Sequence, residues 1–220
     1  MGAAPVQNIG AYGVTLDEVF YSLTAISLRT TKEKVFYSKD CKFGYRDSVF
    51  KKSLKGKYFI YSITLRLNKK FKANLEYPEL NNRFSEKDKR RVTAHDLVKL
   101  ITEIRNNKLP VPAVLPNAGS FFKNPELNQK EFDKFHKKFP DVRIFKIDTK
   151  YRVAAGWLID QCGFKGKRFK NVGVYEKQAL ILVNYGGAKA SDLIALSKRI
   201  ESAVKKKFGL KLEREVNYVQ

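Results

Sequence analysis

Three short segments hold residues whose types could do chemistry: Gly44-Tyr45-Arg46-Asp47-Ser48, Asn117 through Pro125, and Leu212-Glu213-Arg214-Glu215-Val216. In the middle one, Ala118 and Gly119 carry almost no side chain, so the backbone around Ser120 can approach a ligand closely. Phe121 and Phe122 are expected to anchor the turn from below. Lys123 and Asn124 supply a cation and an amide in the same tight loop, and Pro125 suits the start of a helix. A lone loop serine is ordinarily a helix cap, but this density of small, polar and aromatic residues favours a ligand loop. No G-x-S-x-G elbow and no nearby histidine accompany Ser120, which disfavours a hydrolase triad; a serine without a base suits proton donation better than attack.

Arg46 has two readings. It is a surface partner of Asp47, worth little, or a clamp for a substrate carboxylate and for the charge that develops as such a group becomes an enolate. Glu215 alternates with Leu212 and Val216 on a final strand. It is either an exposed strand carboxylate or, beside Arg46, a group that polarises the same carboxylate or donates a proton if its pKa is raised.

The elements that must position these residues read as an α+β chain. Phe20 to Arg29, Val35 to Tyr37 and Tyr58 to Leu67 are strand-like, rich in β-branched and aromatic residues. Thr93 caps a helix with Asp96 at its third position, and Leu97, Leu100, Ile101 and Ile104 form its apolar face before Pro110. Lys108-Leu109-Pro110-Val111-Pro112 is the expected domain boundary, because two prolines stiffen an extended crossing. Beyond it, Phe132, Phe135 and Phe139 space a helix following Asn124-Pro125, and Gln178 to Val183 reads as a buried strand. Ser191 is expected to cap the last helix, with Leu193, Leu196, Ile200 and Val204 as its core stripe and Gly209 as its stop. The final strand places Leu210, Leu212, Val216 and Tyr218 on one face.

Composition narrows the class. The chain has 220 residues, 43% of them hydrophobic, enough for one or two domains with a real core. No apolar run is long enough to cross a bilayer, and residues 1–6 lack the features of a signal peptide. The two cysteines, Cys41 and Cys162, are expected to be reduced and buried, although one disulfide is possible. His95 and His136, the only histidines, exclude a multi-histidine metal site. The net charge of +22 raises a nucleic-acid reading. Lysine outnumbers arginine, however, and the charge is spread along the chain, with clusters such as Lys87–Arg91 and Lys205–Lys207 beside helix ends, so no nucleic-acid partner is expected.

Taken in order, these segments resemble the UDP-N-acetylenolpyruvoylglucosamine reductase (MurB) family over essentially the whole chain. Further matches are Pro5 to Gly13, Phe43 to Ser48, Lys108-Leu109-Pro110, Ala155 to Cys162 and Gln178-Ala179-Leu180. The resemblance implies an α+β fold in two parts. Residues 1–109 would be the C-terminal part of an FAD-binding domain of the MurB / vanillyl-alcohol-oxidase-like type, opening without the family's preceding region. Residues 110–214 would be the substrate-binding domain, with 215–220 returning to the first. It implies FAD and NADPH as cofactors, UDP-N-acetylglucosamine enolpyruvate as substrate, UDP-N-acetylmuramate as product, and a monomer in the cytoplasm working in peptidoglycan synthesis. By position, Ser120 delivers the proton while Arg46 and Glu215 stabilise the intermediate through the substrate carboxylate. Tyr77 matches a mobile-loop tyrosine of one branch of the family, Lys108 and Asn124 hold the diphosphate, and Gln178 contacts the substrate. Gly2, Ala3, Val6 and Gly10 fall in the flavin-contacting region. Two rivals stay open: an inactive or partner-dependent fragment that binds a UDP-sugar without flavin, and a basic nucleic-acid-binding module.

Overall fold

The structure, a computed structural model, describes residues 2–84, Lys89, 91–147 and 149–219; most of the Lys87–Arg91 cluster therefore lies outside the described residues. The chain divides into two compact units, Met1–Glu103 and Ile104–Gln220. The division falls within the helix Ala94–Lys108. As the sequence indicates, Thr93 and Asp96 close that helix's N-terminus reciprocally, the Thr93 N–H donating to the Asp96 carboxylate at 3.0 Å and the Asp96 N–H to the Thr93 hydroxyl at 3.2 Å.

The first unit is built on three antiparallel strands in the spatial order Glu33–Tyr37, Phe20–Ser27, Tyr58–Leu65. Leu23, Ala25, Phe36 and Ile60 face its core with Phe20, Val49 and Phe50. The opposite face leaves Val35, Tyr37, Phe59 and Tyr61 exposed. At the N-terminus, Ala3–Val6 forms a single helical turn, and Gly10–Ala11 pairs with Val14–Thr15 as a small hairpin.

The second unit carries a four-stranded antiparallel sheet in the order Arg168–Phe169, Val172–Val174, Ile181–Asn184, Asn117–Ser120. A second sheet orders Glu126–Leu127, Lys150–Val153 and Ile144–Ile147. The long helix Ala190–Phe208 presents Leu196, Ile200 and Val204 to a core with Phe122, Val153, Leu158 and Val174. Gly209 ends it at φ 72°, the left-handed conformation that a residue without Cβ adopts most easily.

Five local expectations are corrected. Asn117–Ser120 is an edge strand and not a tight loop, because its backbone groups find partners on Ile181–Asn184. Pro125 does not start a helix; a short strand intervenes, and Gln129–Lys138 begins at Asn128, which exchanges bonds with Glu131. The buried strand begins at Ile181, since Gln178 through Leu180 are spent on a turn in which the Ile181 N–H returns to the Gln178 carbonyl at 3.0 Å. Ser191 lies inside the last helix, which is capped from Lys189, whose N–H donates to Asp192 at 2.8 Å. The final strand is also overstated. One isolated bridge, Phe122 to Arg214, joins the closing segment to its neighbour, and a bend at Val216 ends the pairing. Cys41 is buried and Cys162 half-buried, and both are free.

Candidate active site

In the first unit Arg46 sits at the corner of a tight turn closed by Gly44 and Asp47, which exchange backbone bonds of 3.0 and 3.2 Å. Its φ of 51° is uncommon for a residue with a side chain, and such strain concentrates at working sites. Asp47 does not pair with Arg46; it takes Lys52. The Arg46 guanidinium instead donates to the carbonyls of Asn8, at 3.4 Å, and Gly10. Asn8 is almost fully buried and organises this corner from below: its amide donates to the Gly44 carbonyl at 3.2 Å while its oxygen accepts from the Asp17 N–H at 3.0 Å. A Cβ on Gly10 would lie 2.6 Å from Thr15 Cγ2, 2.7 Å from the Val14 carbonyl and 3.2 Å from Arg46 Nη1, so its own chain requires glycine there.

Gly2, Ala3 and Val6 line a shallow pocket of about 510 Å³ with Tyr58, Phe59, Ile60 and Tyr61. Gly10 is not part of it. Tyr77, half-buried, packs edge-on against Tyr12 with ring centroids 5.3 Å apart. Burial raises its phenol pKa, and the Glu79 charge adds to that.

Five of the expected residues, Lys108, Ser120, Asn124, Gln178 and Glu215, lie in the second unit. Ser120 ends the edge strand opposite Ile181, exposed, and its hydroxyl has no hydrogen-bond partner among the described residues. Behind it Phe121 and Phe122 are buried, anchoring the strand as expected. The Glu215 N–H donates to the Phe121 carbonyl at 2.9 Å, which brings the glutamate to the serine's immediate neighbour. Lys123 pairs with Glu213, so its charge is already engaged. The Asn124 side-chain oxygen accepts from the Ala155 N–H at 2.9 Å and caps the helix Ala155–Gln161. Gln178 lies over the next residue of that helix: a Cβ on Gly156 would stand 3.1 Å from its side-chain oxygen, which also accepts from the Leu180 N–H at 3.3 Å. Lys108, half-buried, closes the helix Ala94–Lys108.

The sequence reading missed the residues that hold these in place. Asn117 clamps the approach to Ser120: its oxygen accepts from the Gly119 N–H at 3.0 Å and its amide donates to the Leu115 carbonyl at 2.9 Å. Gly119 itself sits at φ 72°, the left-handed region that a residue without Cβ adopts most easily. Arg214 grips both oxygens of Glu201 on the long helix, the second at 3.0 Å, and this bond to a carboxylate raises its already high pKa. An Asn-x-Gly spacing was a readable signal for the first; nothing in the sequence paired the second. No cluster of three or more metal-ligating side chains occurs among the described residues. No described helix is long and apolar enough to cross a membrane.

Comparison with known proteins follows the same lines. Residues 110–219 match the family model described as UDP-N-acetylenolpyruvoylglucosamine reductase, C-terminal domain. A UDP-N-acetylenolpyruvoylglucosamine reductase from Flavobacterium johnsoniae is 42% identical over 221 residues, covering 100% of this chain and 66% of its own length. One from Pseudomonas aeruginosa is 44% identical, over 99% of this chain and 64% of its own. The chain thus spans slightly under two-thirds of the length of these curated relatives. In fold, it is similar to the crystal structure of UDP-N-acetylenolpyruvylglucosamine reductase (MurB) from Thermus caldophilus, with a TM-score of 0.60 at 20% identity over 98% of this chain and 59% of that one. The chain belongs to the UDP-N-acetylenolpyruvoylglucosamine reductase family.

Proposed function

We propose that this chain takes part in the FAD- and NADPH-dependent reduction of UDP-N-acetylglucosamine enolpyruvate to UDP-N-acetylmuramate, in the cytoplasm and for peptidoglycan synthesis. The observation that carries the reading is the backbone pairing of Glu215 with Phe121, next to an exposed Ser120 whose hydroxyl has no hydrogen-bond partner among the described residues, in a chain of this family. We further propose residues 1–109 as the flavin-side part and 110–214 as the substrate-binding domain.

The first unit fits a flavin in one respect. The pocket of Gly2, Ala3 and Val6 is lined on its strand side by residues that include Tyr58, Phe59 and Tyr61, an aromatic composition suited to a planar ring system. FAD, when bound and reduced by NADPH, supplies the hydride. Gly10 acts at one remove, through the Arg46 guanidinium that its carbonyl holds. Arg46 neutralises the substrate carboxylate and stabilises the charge that spreads onto it as the enolpyruvyl double bond accepts a hydride. Glu215 polarises the same group, and the Ser120 hydroxyl gives up its proton to the neighbouring carbon. Lys108 meets the diphosphate as a point charge, joined by Asn124, while Tyr77 closes over it. Gln178 contacts the substrate from beside the capped helix Ala155–Gln161.

The test is the visible spectrum of the purified chain after incubation with FAD and desalting. The expected result is a retained flavin band that bleaches with NADPH and returns on adding the enolpyruvyl substrate. Absence of retained flavin overturns the reading for this chain; retained binding of a UDP-sugar without flavin would then favour a substrate-binding part of a longer enzyme.

A further inference from the structure

We propose that Glu201, through its forked pair with Arg214, is a positioning residue that sets the direction in which the Glu215 side chain leaves the closing segment beside Ser120. The proposal rests on the function above, in which Glu215 and Ser120 serve one substrate.

The closing segment is thinly held along its backbone. After Gly209 turns the chain out of the long helix, the segment makes a single bridge, with the Lys123 N–H donating to the Glu213 carbonyl at 2.8 Å and the Glu215 N–H to Phe121 at 2.9 Å. Among the described residues no ladder continues to either side, and two backbone bonds do not by themselves fix how the segment is turned about its own axis. Side chains must fix that roll. Leu212 is buried, but Glu213 cannot help much: its side chain is 71% exposed where it meets Lys123. Arg214 is different. It and Glu201 are only 25% and 28% exposed, and the planar guanidinium engages both carboxylate oxygens.

Geometry connects this pair to the site. Along an extended segment successive side chains point to opposite sides, so fixing Arg214 against the helix fixes the opposite heading of Glu215. The helix end of the pair is rigid, because Ile200 and Val204, flanking Glu201, are fully buried. Tyr218 supports the far side: its ring lies 5.2 Å from the Arg214 guanidinium and its hydroxyl 3.2 Å from that of Ser197. A fork, and not a charge alone, is what transmits a direction.

The experiment is amide hydrogen exchange on the whole chain, read at Glu215 and at Ile200, in the wild type, Glu201→Gln and the swap Glu201→Arg/Arg214→Glu. Loss of a half-buried charge-assisted fork is expected to speed exchange at Glu215 about tenfold and leave Ile200 unchanged, with the swap restoring much of the protection. In the FAD-loaded chain, Glu201→Gln should slow flavin oxidation by substrate, through kcat more than KM, and leave flavin reduction by NADPH as it was. Unchanged exchange at Glu215, or a slowed oxidation that the swap does not recover, overturns the proposal. If Glu201→Gln also loosens Ile200, Arg214→Lys, which keeps the charge but not the fork, decides on the same readout. A wild-type chain that takes up no flavin defeats the proposed function, while the exchange comparison still decides the clamp.

Discussion

The backbone N–H of Glu215 donates to the carbonyl of Phe121 at 2.9 Å, so a carboxylate-bearing residue stands one peptide away from Ser120 although 95 positions separate them in sequence. Both belong to one compact unit, and their juxtaposition does not depend on how the two units are arranged.

Ser120→Ala removes the proposed proton donor and nothing that packs. We expect flavin reduction by NADPH to be unchanged and flavin oxidation by substrate to slow by about a hundredfold or more, the usual scale of a general acid. Stopped-flow absorbance of the two half-reactions separates these; equal loss in both would remove the proton-donor role.

Asn124→Ala should lower the stability of the second unit by about 1 kcal/mol, because the Ala155 N–H loses its cap. Asn124→Asp keeps an acceptor there and should cost little stability, while placing a negative charge where the diphosphate is proposed to lie. Urea midpoints for both variants, set against UDP-sugar affinity by calorimetry, divide the capping role from the binding one.

Glu126 gives a pH dependence. Burial acts to raise its pKa, but bonds from Lys150 and Arg152 outweigh burial and hold it below 4.5, the ordinary value. A depressed carboxyl stabilises the fold above its unfolded pKa, and that contribution disappears as pH falls from about 4.5 through the lowered value. Glu126→Gln should therefore be less stable than wild type by about 1 kcal/mol at pH 7, with the two curves converging at strongly acidic pH. Thermal unfolding from pH 7 to pH 3 checks this; a constant difference would contradict it.

Cys41 is fully buried, and desolvation, helped by the Asp40 charge, pushes its thiol up to about 12. Alkylation of the native chain at pH 8 should therefore modify half-buried Cys162 well before Cys41. Peptide mapping over time gives the order, and early labelling of Cys41 would show that this core opens.

The regular elements were legible because burial imposes a period. The stripe Leu196, Ile200, Val204 and its Gly209 stop, the Thr93–Asp96 box, and the strands beginning at Phe20 and Tyr58 all follow from spacing and capping chemistry. Errors arose where long-range pairing decided. Asn117–Ser120 has the composition of a loop, and only Ile181–Asn184 makes it a strand. Conversely, the closing segment alternates like a strand but lacks neighbours to complete a ladder. At the site, side-chain chemistry pointed to Ser120, Arg46 and Glu215. What engages Arg46, the carbonyls of Asn8 and Gly10, is a tertiary fact that no local pattern states.

The outer face of the three-stranded sheet carries one more consequence. Val35, Tyr37, Phe59 and Tyr61 lie open to solvent there, and Glu33–Tyr37 and Tyr58–Leu65 are the outer strands of that sheet. Apolar faces and open strand margins draw copies of a chain together. A net charge of +22 opposes this at long range, because every approaching copy is repelled before contact. That repulsion shortens with the Debye length, from about 30 Å at 0.01 M salt to about 3 Å at 1 M. Ionic strength, more than concentration, therefore governs the colloidal behaviour of the purified chain: light scattering should stay flat in dilute buffer and climb as salt is added.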